Sequence, residues 1–282
     1  MFDRIGHIRL IVAVAIAALA IGIAPLCHAR TAKSDASPFT VVIDAGHGGK
    51  DVGAKGKQTN EKSVNLDVAL ALGKLIEKEF SKKEVKVVYT RDGDYFVTLQ
   101  GRCDKANKAH GNLFISIHCN SVDEKSPRRS TVSGTSVYTL GLGRSNENLE
   151  VAKRENSVMM LEPDYSTTYC GFDPNSSESY IVFEMSQNRH LNQSIKFAAL
   201  AQKQLVRHAG RADKGIRQDI FWVLVHTGMP AVLIELDFIC NPTVEQYMMS
   251  DKGIDRMSES IFNAFCDYYK STQKATKTAS VK

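Results

Sequence analysis

The chain has 282 residues, 43% of them hydrophobic, with 36 Lys and Arg against 31 Asp and Glu for a formal net charge of +5. That is apolar enough for an ordinary core over one or two domains. It is too weakly basic for a nucleic-acid-binding signature, although a small positive charge suits an anionic polymer of the cell envelope.

Arg4 and Arg9 precede the apolar run Leu10–Ile23, and Pro25 and Cys27-His28-Ala29 follow it. This is the layout of a secretory signal peptide over residues 1–29, cleaved after Ala29, which sends the chain across the inner membrane to the periplasm or envelope. The run falls short of the ~20 residues a spanning helix needs, so no stable membrane span is expected once it is removed; an uncleaved anchor is the alternative. The five cysteines beyond it (Cys103, Cys119, Cys170, Cys240 and Cys266) are odd in number and include no CxxC pair. They form neither a zinc-finger layout nor a disulfide framework.

Residues 30–38 are polar and read as a linker. Thr40–Ile43 is a short apolar, β-branched run that fits a strand covered on both faces, and Asp44 ends it. Gly46, Gly48, Gly49 and Gly53 then surround His47. Asp51 stands where a dinucleotide fingerprint needs its third glycine, and Ala54-Lys55 stands where a P-loop needs Lys-Ser/Thr, so neither phosphate loop is present. Asn60 caps a helix to about Glu79, with Glu61 in its first turn and Val64, Val68, Leu72 and Ile76 at helical spacing. Val85–Thr90 is a second strand, Thr98–Ala109 a helix, Leu113–His118 a third strand and Thr135–Leu140 a fourth. This alternation predicts a single α/β domain over residues 39–269, with a largely parallel central sheet flanked by helices.

Residues 141–190 break the pattern with a charged helical piece over about Glu147–Leu161 and a polar stretch after it, an insertion of a length usually reserved for lids. A helix from Ser194 to His208, a buried strand Ala231–Phe238 carrying Glu235, and a helix from about Ile254 complete the domain. The lysine-rich tail, residues 270–282, has no acid and little apolar content and is expected to be disordered.

His47 and His118 fall at or just past the carboxyl ends of strands, where open α/β sheets bind ligands. Glu61, at the start of the helix reached directly from the first loop, can reach the same crevice. Each has a bland reading taken alone: a hydrogen-bonded histidine, or a surface acid opposing the helix dipole. Together, two imidazoles and one carboxylate make a three-ligand zinc site with an open position. Glu235 lies in an otherwise apolar strand, and a buried unpaired carboxylate needs a partner or a task; here it is the candidate general base.

Val42-Ile43-Asp44-Ala45-Gly46-His47-Gly48-Gly49, Asn60-Glu61-Lys62, Ser116-Ile117-His118-Cys119-Asn120 and Leu233–Asn241 resemble the zinc-dependent N-acetylmuramoyl-L-alanine amidases of the cell-separation type. The resemblance implies one Zn2+ on His47, Glu61 and His118, Glu235 as catalytic carboxylate, and Asn120 in contact with substrate. It implies cleavage of the amide between muramic acid and L-alanine of peptidoglycan, for wall remodelling and daughter-cell separation. It also implies autoinhibition by the 141–190 insertion, relieved by a LytM-type activator, with Glu155 and Glu162 as candidate caps on the zinc. Cys119 and Asp237 depart from the family pattern; Asp237 points the same way as Glu235 along a strand and is placed to perturb it. The other readings are a different zinc peptidase or amidohydrolase of the envelope, and a non-catalytic wall-binding module.

Overall fold

A computed structural model describes residues 37–141, 145–183 and 189–279, so the signal segment expected over residues 1–29 lies outside the described residues. Six strands, β1 (Phe39–Ala45), β2 (Val85–Tyr89), β3 (Leu113–Asn120), β4 (Thr135–Leu140), β5 (Asp213–Asp219) and β6 (Ala231–Phe238), form one sheet in the order β2-β1-β3-β6-β4-β5. Neighbours run parallel except β4, which is antiparallel to β6. Every residue of β3 and β6 is buried, which is why both read as nearly continuous apolar runs.

Side chains alternate between the two faces. Val41, Ile43, Ile115, Ile117, Val232 and Ile234 meet helices α1 (Glu61–Glu79), α4 (Leu191–Arg207) and α6 (Asp251–Ala279) on one face. Val42, Phe114, Tyr138 and Leu233 face the other way, towards α2 (Leu99–Lys108) and α3 (Asn146–Asn156). The same period of two puts Asp44, Ser116, His118 and Glu235 on this second face, at the carboxyl ends of three neighbouring strands.

The insertion over residues 141–190 is helical, as expected, but it is no loose excursion. After α3 come a 3-10 turn at Ser157–Leu161 and short helices at Tyr165–Thr168 and Ser177–Phe183. Val151, Ala152, Met159, Tyr169 and Phe172 from this segment are buried in the second core, with Tyr169 edge-on to Trp222 at 4.7 Å.

Three elements differ from the expectation. β5 has the sequence DKGIRQD and was not foreseen: it is an edge strand that pairs only with β4, so it needs no apolar run. Helix α5 (Pro242–Met249) was also missed, although Asn241 caps it and Pro242 opens it. The tail expected to be disordered from residue 270 instead continues α6 to Ala279, because an anchored helix extends at one hydrogen bond per residue and no glycine or proline lies between Lys270 and Ala279. Among the described residues no helix is long and apolar enough to cross a membrane.

Candidate metal centre

The β1–α1 loop carries His47 with a left-handed backbone (φ 62°), a conformation tolerated where the surroundings over-determine it. Those surroundings are a buried polar frame. Asp44, 1% exposed, accepts hydrogen bonds from Thr90 Oγ1 at 2.6 Å, Ser116 Oγ at 2.7 Å and Arg102 Nη1 at 2.7 Å. Arg102 donates on to the Ala45 and His47 carbonyls at 2.7 and 2.6 Å, and Arg91 donates to those of Ala45, Gly46 and Lys62. Burial disfavours the Asp44 carboxylate, yet Arg102 and the hydroxyl donors outweigh it and keep the acid ionised. Removing one partner of such a pair strands a buried charge, so Asp44→Ala is expected to destabilise the fold by about 3–5 kcal/mol, read as a fall in the urea midpoint. Gly46 leaves room for the neighbour: a Cβ there would run into the His118 ring.

His47, Glu61, His118 and Glu155 are all buried, and one donor atom from each lies within 4.8 Å of the others. Asp51 Oδ2 stands 2.8 Å from His47 Nδ1; a carboxylate only accepts, so Nδ1 carries the proton and the Nε2 lone pair faces the cluster. His47 Nε2 is 3.2 Å from Glu61 Oε1 and 3.0 Å from Glu155 Oε2, and His118 Nδ1 is 3.0 and 2.9 Å from the same two oxygens. His47 Nε2 and Glu155 Oε2 nevertheless have no aligned hydrogen-bond partner. Ligands at ~2.0 Å from one tetrahedral zinc stand about 3.3 Å apart, close to these separations. The donor chemistry and spacing therefore fit a zinc ion. His47, Glu61 and His118 alone give the three ligands of a catalytic site; Glu155 makes four, the count of a closed one.

The Glu61 carboxylate is fully buried and pinned by the Cys119 N–H at 2.9 Å on Oε1 and the Ala54 N–H at 2.8 Å on Oε2. It is buried in the group that could hold a metal ion and is not a surface acid opposing a dipole. Burial works against its charge, but the electrostatic pull of His47 and the hydrogen bonds of the two imidazoles hold it well below the usual carboxylate range. At His118 burial opposes protonation, and the Glu155 carboxylate more than offsets it, lifting the imidazole to about 9.

Glu235 is register partner of His118 on the adjacent strand, which sets the two side by side on one face. It is 0% exposed, and burial pushes its carboxyl up to about 8 although Arg154 opposes the shift. Its Oε2 has no partner, while Oε1 lies 3.3 Å from Arg154 Nη2. Arg154 also donates to Glu155 Oε1 at 2.8 Å and to the Ser121 carbonyl at 3.0 Å, with the Asn120 amide oxygen 3.4 Å away. Asn120 therefore borders the site next to Arg154.

Cys119 and Asp237 have partners of their own. Cys119 points to the other face of β3, with Sγ 3.4 Å from Asn65 Oδ1, and is outside the metal-ligating group. Asp237 is occupied by the Gly134 and Phe238 N–H groups and by Arg211 at 3.1 Å. Of the two candidate caps, Glu162 is turned away, accepting from Tyr169 Oη at 2.6 Å and the Leu99 N–H at 3.2 Å. Arg154 and Asp51 were not foreseen. A helical phase count would have found Glu155, which falls three and four residues after Ala152 and Val151 on the buried stripe of α3.

The sequence profile of the N-acetylmuramoyl-L-alanine amidase family matches residues 41–267. The chain is 30% identical over 236 residues to N-acetylmuramoyl-L-alanine amidase AmiC of Escherichia coli O6:H1, covering 82% of this chain and 53% of that protein. Among solved structures it resembles the catalytic domain of CwlV, an N-acetylmuramoyl-L-alanine amidase from Bacillus (Paenibacillus) polymyxa var. colistinus, with a TM-score of 0.59 and 29% identity over 82% of this chain and 98% of that one. It also resembles an N-acetylmuramoyl-L-alanine amidase from Clostridium difficile 630, with a TM-score of 0.61 and 26% identity over 83% and 98% of the two chains. The chain spans 53% of the length of AmiC and 40% of that of N-acetylmuramoyl-L-alanine amidase LytC of Bacillus subtilis.

Proposed function

The chain belongs to the N-acetylmuramoyl-L-alanine amidase family, and from that premise we propose that it is a zinc-dependent hydrolase of the amide bond between N-acetylmuramic acid and L-alanine in peptidoglycan. It would work in the periplasm or envelope, in wall remodelling and daughter-cell separation. The observation that carries this reading is the buried His47, Glu61 and His118 group beside Glu235, with His118 and Glu235 register partners on neighbouring strands.

A zinc ion on those three residues would polarise the amide carbonyl and acidify a water ligand towards neutrality. The rest of the chemistry belongs to the chain. Glu235 takes the proton of the attacking water and returns it to the departing L-alanine nitrogen, without which the amine is a poor leaving group. Burial raises the proton affinity of that carboxyl, which strengthens its ionised form as a base. Asp51 holds the His47 tautomer, and Asn120, beside Arg154, would contact substrate.

In this conformation α3 closes the site. Two consecutive residues act on two different partners: Glu155 fills the fourth donor position, and the Arg154 guanidinium sits against the base. The segment over residues 141–190 is then autoinhibitory, and a LytM-type activator that draws α3 away would open both the metal and Glu235 at once. Residues 1–29 would serve as export signal and 30–38 as linker to the catalytic domain.

Purified protein is expected to hold one zinc per chain and to release intact stem peptides and free lactyl-muramic glycan from peptidoglycan, activity that a chelator removes and zinc restores. Cleavage within the stem peptides would favour a peptidase instead, and absence of any cleavage would favour a wall-binding module. Protons held on the histidines compete with the metal, so zinc affinity should rise as pH climbs towards about 9, the value to which His118 is lifted. Affinity independent of pH across that range would contradict the assigned ligands.

A further inference from the structure

Ten residues after Glu235, on the helix that follows its strand, stands a second acid with no assigned task. Glu245 lies in the first turn of α5 and is 0% exposed. Its Oε1 accepts the Gln58 N–H at 2.6 Å and the Thr59 N–H at 2.8 Å, while Oε2 is buried without a partner. A buried carboxylate held by only one oxygen is costly to retain, which argues for a specific task.

The two N–H groups belong to the turn that delivers Glu61. That turn is closed by the Gly56 N–H on the Thr59 carbonyl at 3.0 Å and by a bridge between Lys55 and Asn60. Gly56 is required there because a Cβ would collide with the Glu245 carboxylate. At the end of the turn Asn60 caps α1, and Glu61 is fixed twice by Ala54, through N–H to carbonyl at 2.9 Å and through Oε2 to the Ala54 N–H at 2.8 Å. Glu245 thus ties α5, which follows the strand that carries Glu235, to the turn that leads into Glu61.

We infer that Glu245 is a positioning residue for the metal centre: by accepting two backbone N–H groups it fixes the Lys55–Asn60 turn and so the place of Glu61. The inference rests on the zinc reading given above. Outer supports of this kind are worth roughly 10–100-fold in metal affinity.

The test is zinc affinity of the full chain, measured by competition with a chromogenic chelator, alongside the thermal midpoint of the zinc-free protein. Glu245→Ala is expected to bind zinc about tenfold or more weakly. Glu245→Gln, whose amide oxygen can accept the same two N–H groups, is expected to stay within about threefold of the unaltered protein, well inside that range. Should the alanine variant fail to fold, Glu245→Asp, which withdraws the oxygen by one methylene, is expected to weaken zinc binding more than the glutamine variant does. Unaltered affinity in the alanine variant, whatever its thermal midpoint, would overturn the inference, and so would glutamine and aspartate variants that bind zinc alike. If the unaltered protein bound no zinc, the metal reading itself would fall.

Discussion

Glu235→Gln is expected to abolish measurable hydrolysis of peptidoglycan, with a loss of about 10²–10⁴-fold, the usual worth of a positioned general base. The amide keeps the shape of the side chain and can still meet Arg154, so zinc content and the urea midpoint should barely move. What it cannot do is carry the proton from water to the leaving nitrogen. Glu235 is fully buried beside His118, with one oxygen free of partners, and no other carboxylate of the group is available: Glu61 is committed to the Ala54 and Cys119 N–H groups and Glu155 to Arg154. Single-turnover digestion of purified sacculi reads the effect. A glutamine variant that kept more than a tenth of the rate would remove Glu235 from the chemistry.

Glu155→Ala should act in the opposite direction and raise basal hydrolysis in the absence of any activator. The variant loses the fourth donor at the metal group and also the partner that aligns Arg154 over Glu235. If α3 leaves the site only about 1% of the time, freeing it can raise the rate up to roughly a hundredfold, and each 1.4 kcal/mol of lost closure gives about tenfold. Arg154→Ala should give a smaller rise, because its side chain is 30% exposed and Glu155 stays in place. The measurement is dye release from labelled sacculi by zinc-loaded protein. A Glu155→Ala protein that holds zinc and is no faster would show that α3 does not restrain the enzyme. The aromatic packing of Tyr169 and Phe172 against Trp222 is untouched by either change, so the insertion should stay folded.

The fold was legible where local chemistry and tertiary environment agree. β1, β3 and β6 are buried on both faces, and their apolar runs announce it. Helix α1 has its cap at Asn60 and its stripe of Val64, Val68 and Leu72 in the sequence itself. β5 was illegible because an edge strand of mostly charged and polar residues, with one isoleucine, has no apolar face to advertise. The tail helix was illegible because its composition alone suits disorder, and only its attachment to a packed helix extends it.

The site divides in the same way. The sequence by itself determined the chemistry on offer: two imidazoles and two carboxylates placed at strand and helix ends, where backbone propensity and capping are local and an intervening loop cannot move them to another kind of element. It could not determine their mutual geometry. That needed the strand order β2-β1-β3-β6-β4-β5, which makes β3 and β6 neighbours, and the register that sets His118 opposite Glu235 across 117 residues of chain. Sheet order and register are fixed by contacts between distant segments, each with little preference of its own. The choice of Glu155 over Glu162 was decided in the same way, by the rotation at which α3 packs its buried stripe on the sheet, so the tertiary structure alone shows an insertion that sets Glu155 against His47 and His118 and Arg154 against Glu235.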